Sequence, residues 1–219
     1  GLSQVLISKK VKLEKLIDLG LSNSLGNDLF LNRIMFPLFD LSGRVVAFSG
    51  RIYNIKDSSK YINTKETDIF KKGNMLYNYH NAHEHLKKND YVLVMEGFMD
   101  VIRADTIGIT NCVATMGTAF TKQQAMIIKK MTNNVILCFD GDKAGEEATI
   151  SAIDMLEKIN VIPKIIRLED NMDPDDYIIK KGKDAFLNKI NKAISVVDFK
   201  MQLLKREKNL TDTKELASY

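Results

Sequence analysis

The sequence predicts an α/β fold, α+β overall: a four-stranded parallel sheet flanked by helices, preceded by a mixed basic subdomain and followed by a helical extension. Three observations carry that prediction. Short apolar runs near 91–96, 111–115, 134–140 and 163–168 read as strands buried on both faces. Helical patterns near 98–106, 121–132, 144–159 and 175–181 separate them, the rhythm of right-handed crossovers in a parallel sheet. Two of the runs stop at carboxylates: Tyr91-Val-Leu-Val-Met-Glu96 meets Gly97, and Val135-Ile-Leu-Cys-Phe-Asp140 meets Gly141-Asp142.

Taken in order, residues 5–20 read as one helix, with Leu6, Leu13, Leu16, Ile17 and Leu19 mostly on one face and Gly20 as the stop. Residues 21–32 form a polar loop. Strands Ile34–Phe39 and Arg44–Phe48 then flank a turn, Asp40-Leu-Ser-Gly43, in which Gly43 can take positive φ, so a hairpin is expected. Residues 51–75 are polar and basic, an excursion over the surface, and 81–89 make a short helix. Within the alternating region, Thr121-Lys-Gln-Gln124 has capping-box spacing. Residues 184–207 read as helical, and 212–219 as the beginning of another helix. The expected division is 1–89, a basic subdomain; 90–182, the sheet domain; and 183–219, the start of a helical subdomain.

The chain has 219 residues, 45% of them hydrophobic, enough for a sizeable core. No run approaches the roughly 18 apolar residues of a membrane span, and no charged-then-apolar leader is expected. Cys112 and Cys138 lie inside strand-like runs with no CxxC pair, which predicts buried reduced thiols and no structural zinc site. His80, His83 and His85 cluster, but no cysteine accompanies them in a zinc spacing. The net charge of +4 is uneven. Residues 1–89 carry 14 Lys+Arg against 8 Asp+Glu, residues 90–182 carry 10 against 15, and residues 183–219 carry 8 against 5. An acidic middle between basic flanks suits a metal centre served by phosphate-binding surfaces.

Each acidic motif has an ordinary reading beside the functional one. Glu96-Gly97 can be a simple strand-to-helix turn, and Asp100 can complement a helix dipole or join a metal network. Asp140-Gly-Asp142 is a common turn, and some phosphohydrolases also use an Asp-x-Asp. Asp173-Pro-Asp-Asp176 is good N-capping chemistry with proline in the first turn. Together at the carboxyl edge of one parallel sheet, where ligands bind, these groups would repel one another without a cation between them. Hard divalent ions with oxygen ligands, Mg²⁺ first, meet that need and share their coordination with phosphates.

The motifs Glu96-Gly-Phe-Met-Asp100, Ala114-Thr-Met-Gly-Thr118, Asp140-Gly-Asp-Lys-Ala-Gly145 and Asp173-Pro-Asp175 resemble the TOPRIM domain of bacterial primases and topoisomerases. Upstream, Asn32-Arg-Ile-Met-Phe-Pro37, Gly43-Arg-Val-Val-Ala-Phe-Ser-Gly-Arg51, Lys60-Tyr-Ile-Asn63, Glu66-Thr-Asp-Ile-Phe70 and Lys72-Gly-Asn-Met-Leu-Tyr77 are similar to bacterial replicative primases. The resemblance covers about residues 30–200, and the upstream set separates primase from the other TOPRIM enzymes, a topoisomerase or nuclease. Phe98 stands where tyrosine is usual.

The resemblance implies a TOPRIM-type sheet, with metal ligation and catalysis at Glu96, Asp140 and Asp142 and a cluster completed by Asp100, Asp173 and Asp175. It further implies a nucleotide- and template-binding surface of Arg33, Arg44, Arg51, Lys60, Asn63 and Lys72 facing the metals. The implied cofactor is Mg²⁺, with Mn²⁺ able to substitute. The implied partners are single-stranded DNA, ribonucleoside triphosphates and the RNA–DNA primer duplex. A zinc domain and the contacts with replicative helicase and single-strand binding protein would belong to parts of a longer protein. Guanine-nucleotide alarmones are implied as inhibitors, the fragment as a monomer, and the bacterial cytoplasm, in the nucleoid-associated replisome, as its place. The reading from another class is a TOPRIM fold retained as a binding module without chemistry.

Overall fold

The computed structural model describes residues 1–53, 59–117, 119–169 and 171–207. The helix expected over 212–219 and Thr118 of the second motif lie outside the described residues. The chain divides into two compact units, Gly1–Lys72 and Gly73–Tyr219, ahead of the boundary at 89 expected from the sequence.

In the first unit the expected single helix is two, α1 (Leu2–Ser8) and α2 (Leu13–Asp18). Lys10 takes a left-handed conformation (φ 65°), with Lys10 N–H donating to the Ile7 carbonyl and Val11 N–H to that of Leu6. This double bond from residues beyond the helix onto its last carbonyls is the usual glycine-type stop, here built on a lysine. Gly20 (φ 66°) ends α2 by the same pattern, as expected. A hairpin follows, β1 (Arg33–Phe39) and β2 (Val45–Ile52). Its turn is tied by Asp40, whose Oδ1 accepts the N–H groups of Ser42 and Arg44 at 2.9 Å each, while Gly43 takes φ 77°. Part of the expected surface excursion is in fact a third antiparallel strand, β3 (Tyr61–Asn63), paired to β2. Its three residues are too few for a period to register in the sequence.

The second unit contains α3 (Tyr79–Asn89), β4 (Val92–Met95), α4 (Phe98–Thr106), β5 (Cys112–Ala114), α5 (Lys122–Met131), β6 (Val135–Leu137), α6 (Lys143–Glu157), β7 (Lys164–Ile165), α7 (Pro174–Asn191) and α8 (Val196–Glu207). The four strands are parallel in the order β5-β4-β6-β7. Alternate residues feed two cores, as the pleat requires. Val92, Val94, Leu137 and Ile165 join Ala82, Ile128, Ile153 and Phe199 on one face. Leu93, Met95, Ile136 and Cys138 join Val101, Tyr177 and Phe186 on the other. The sheet is therefore sandwiched between α3, α5, α6 and α8 and, opposite, α4 and α7. Both cysteines are buried and unbridged, and burial pushes the Cys112 thiol up to about 12.

The helix expected over 175–181 is the first half of α7 and stops at Gly182 (φ 82°, ψ 174°), which is not helical, as the sequence leads one to expect. The stretch expected as one helix over 184–207 is instead divided between the second half of α7, to Asn191, and α8, from Val196. The strand order places the reversal of direction between β4 and β6, so the crevice for a ligand lies beyond the carboxyl ends of these two strands.

Candidate active site

Glu96 follows β4 directly, Asp140 and Asp142 follow β6, and Asp173 caps α7, so all three acidic motifs reach the same edge of the sheet. Glu96 Oε1 accepts the Asp140 N–H at 3.1 Å, joining the two central strand ends. Asp142 Oδ1 accepts the Gly145 N–H at 2.8 Å and caps α6, and Asp173 Oδ1 accepts the Asp176 N–H at 2.6 Å with Pro174 in the first turn. Asp100 is buried, its two oxygens taking the N–H groups of Gly97 (3.0 Å) and Asp175 (3.1 Å). Asp175 itself pairs with Arg103 Nε at 2.5 Å.

Two glycines make this turn possible. A Cβ on Gly141 would lie 2.7 Å from the Leu168 carbonyl oxygen, and one on Gly145 would lie 2.1 Å from that of Asp140. The first turn of α6 is thus packed backbone-to-backbone on the residue it follows. Gly141 admits the neighbouring segment more than it clears space between the two aspartates.

The acids at this edge oppose one another's charge. Burial first, then the charges of Glu96, Asp100, Asp173 and Asp142, push the Asp140 carboxyl up to about 7. Asp100 also rises to about 7, through burial and the charges of Asp173 and Asp175, against the N–H groups it accepts. Glu96 is raised by burial and by Asp142, against the Asp140 N–H. These are the shifts of carboxylates crowded in a poorly hydrated place.

Among the described residues no three His, Cys, Asp or Glu side chains form a ready-made ligand set. Most of these carboxylates instead accept local N–H groups or pair with Arg103. Asp140 Oδ1 differs: it is buried and has no hydrogen-bond partner among the described residues. An orphan buried carboxylate oxygen amid other hard oxygen donors fits a divalent cation. His80, His83 and His85, on α3, form no such group among the described residues.

In the first unit, the expected basic residues gather in part. Arg51 pairs across the strands with Tyr61, its guanidinium carbon 5.6 Å from the ring centroid, and Lys60 Nζ lies 5.8 Å from the same ring. Arg33 Nη1 donates to the Gly50 and Ser59 carbonyls at 3.2 and 3.1 Å, and Asn63 ends the same short strand as Tyr61. Arg44 sits apart in the hairpin turn, bonded through Nε to Asp40 Oδ2 at 2.8 Å, and Lys72 opens a short 3₁₀ turn with its N–H on Glu66. Sequence reasoning gave no role to Tyr61 or to Arg103. The Lys60-Tyr-Ile-Asn63 motif contained the first signal; nothing local pointed to the second, whose partner is distant in sequence.

Comparison with known proteins agrees with this fold. Residues 1–83 match the model of the DNA primase catalytic core, N-terminal domain, and residues 93–178 match a Toprim-like model. The chain is 45% identical over 181 residues to a DNA primase of Staphylococcus aureus, covering 82% of this chain and 30% of that protein. It is 39% identical over 211 residues to a DNA primase of Clostridium acetobutylicum, covering 94% of this chain and 35% of that protein. It therefore spans about a third of the curated relatives it matches. A solved DnaG primase catalytic domain bound to single-stranded DNA superposes with TM-score 0.81 at 35% identity, covering 94% of this chain and 68% of that one. A TOPRIM primase core carries a general dependence on divalent metal. From its two matched segments, its relatives and its sheet topology, the chain belongs to the bacterial DnaG primase family, as a part of the catalytic core with the TOPRIM fold.

Proposed function

We propose that this chain is the nucleotidyl-transfer core of a bacterial primase, which polymerises ribonucleoside triphosphates on single-stranded DNA into short RNA primers. The observation that carries this reading is at the β4–β6 crevice, where the Glu96 carboxylate accepts the Asp140 N–H and the Asp140 Oδ1 atom is buried and unpartnered among the described residues. The DNA-bound relative supports single-stranded DNA as template.

In the reaction a primer 3′-hydroxyl attacks the α-phosphate of the incoming triphosphate; the new P–O bond forms as the bond to pyrophosphate breaks, and the hydroxyl proton passes to water. Glu96, Asp140 and Asp142 would hold Mg²⁺, with Asp100, Asp173 and Asp175 completing the acidic cluster. Bound Mg²⁺ supplies positive charge that lowers the hydroxyl pKa and neutralises charge on the phosphates. The chain's own contribution is position. The Asp140 N–H holds Glu96 in place, and Arg103 with Asp100 holds the start of α7. Arg51 and Lys60, beside the Tyr61 ring, with Arg33, Asn63, Arg44 and Lys72, are assigned to triphosphate and template backbone. Helicase and single-strand binding protein would meet other parts of a longer protein, alarmones would compete at this site, and the setting would be the bacterial cytoplasm. No helix among the described residues is long and apolar enough to cross a membrane.

Metal-dependent dinucleotide synthesis on a single-stranded template tests the reading. Strand cleavage in its place would favour a topoisomerase or nuclease, and binding without turnover a non-catalytic module. In parallel binding measurements, Lys60→Ala and Arg51→Ala should weaken the hold on triphosphate or DNA. For a residue that touches single-stranded DNA, the salt slope should fall by about 0.7 for each phosphate no longer neutralised. Wild-type binding by both variants across several salt concentrations would rule out a phosphate-binding role for this surface.

A further inference from the structure

Glu146 lies one residue beyond Gly145 in the first turn of α6, and only 8% of it is exposed. Its carboxylate accepts Arg167 Nη2 at 3.1 Å, and both terminal nitrogens of Arg206, Nη1 at 2.8 Å and Nη2. Arg167 follows β7, and Arg206 sits in the last turn of α8. Arg167 Nη1 also reaches Gln202 of α8 at 3.5 Å. Two clefts, of about 660 and 440 Å³, lie beneath this end of α8, and Gly141, Asn171 and Arg206 line both. Further back, α8 is seated by Val196, Phe199 and Leu203 in the core. Past Leu203 its hold on α6 is therefore polar, the grip of Glu146 on Arg206 above the two clefts.

The other side of Glu146 is joined to the acidic edge without slack. Its N–H donates to the Asp142 carbonyl at 3.0 Å, the Gly145 N–H is capped by Asp142, and Gly145 has no room for a Cβ against Asp140. A displacement of this turn must move the backbone that aims Asp140 and Asp142.

We infer that Glu146 is a positioning residue that couples α8 to the metal-facing edge, by holding Arg167 and Arg206 on the turn that carries Asp140 and Asp142. This rests on the metal reading proposed above. A bidentate carboxylate–arginine pair has the directionality such a device needs. Coupling of two sites is reciprocal: if docked α8 favours cation binding, bound cation must favour docked α8.

Two measurements on the chain test it: Mn²⁺ affinity from the free-ion electron paramagnetic resonance signal, and hydrogen exchange of α8 amides with and without Mn²⁺. Glu146→Gln should lower Mn²⁺ affinity about 5- to 10-fold, the lower range of site–site coupling. Arg206→Met, which keeps Glu146 and Arg167 together, should lower it less, and Glu146→Asp should restore part of the loss. Mn²⁺ should slow exchange in α8 of the wild type but not of Glu146→Gln. Should Glu146→Gln fail to fold, Arg206→Met carries the same two readings. Wild-type Mn²⁺ affinity and α8 protection in a variant that is merely less heat-stable would overturn the coupling and leave the metal reading standing. A wild-type chain that binds no Mn²⁺ would overturn both.

Discussion

Asp140→Asn is expected to reduce primer synthesis by at least about 100-fold, the scale on which a lost charge at a reacting centre is felt, while the metal-free fold becomes no less stable. Asparagine keeps the shape and removes the charge that burial and four neighbouring carboxylates oppose. The pH dependence follows from the direction of that opposition. The folded-state value, about 7, lies above the roughly 3.9 of an unfolded chain, so the folded protein holds a proton that the unfolded one has lost. Stability from this group is fully present below about pH 4 and disappears as pH rises through 7. Metal-free wild type should therefore melt at a lower temperature at pH 8 than at pH 5, through this group and Asp100. The variant should show a smaller drop. Mg²⁺ should raise the wild-type melting temperature most at pH 8, where it replaces the lost protons, and raise that of Asp140→Asn little. Asp142→Asn separates ligation from capping, because asparagine also caps a helix well. It should keep the metal-free fold and lose both activity and metal response; if Asp142 only caps α6, both survive. Melting curves with and without Mg²⁺, beside dinucleotide synthesis, decide between them.

Gly145→Ala should destabilise the protein by about 1–3 kcal/mol, the cost of forcing an atom into a packed place, and should remove most activity. The sign is diagnostic. On helix propensity alone, alanine for glycine inside a helix would gain about 1 kcal/mol. Here the added Cβ would meet the Asp140 carbonyl oxygen at 2.1 Å, its carbon at 2.7 Å and its nitrogen at 2.9 Å. All three are backbone atoms that no rotamer change can clear, so the turn from Asp140 to Asp142 must shift. Chemical denaturation together with Mn²⁺ affinity reads both consequences. A variant as stable as wild type with unchanged affinity would mean that this turn has more slack than the packing indicates.

The parts of the fold legible in the sequence are those fixed by local patterns. The helix expected over 98–106 is Phe98–Thr106, and the Thr121–Gln124 capping box closes in both directions, at 3.1 and 3.0 Å. Gly20 stops α2 as glycine usually does. Lys10 stops α1 by the same backbone geometry but carries no such signal, which hid the break between α1 and α2. Strand β3 is held by pairing with β2, and the helix expected over 184–207 is interrupted between Asn191 and Val196, where Ile194 bridges to Ile165 of β7; tertiary contacts rather than periodicity decide such cases. The place of the acidic motifs at one sheet edge was legible because strand ends and glycine turns mark it. Arg103 on Asp175, Arg206 on Glu146 and Tyr61 between two cations were not, since each pairing depends on how the folded chain brings side chains together.

The central claim is that Glu96, Asp140 and Asp142 hold a divalent cation together. Crystals of the chain soaked in Mn²⁺ test it most directly, through anomalous scattering at the manganese edge. The expected density lies about 2.0–2.4 Å from carboxylate oxygens of at least two of the three, the range of hard ions on oxygen ligands, with Asp140 Oδ1 among them. Density confined to other places, such as the histidines of α3, with these carboxylates left on their backbone partners, would contradict it.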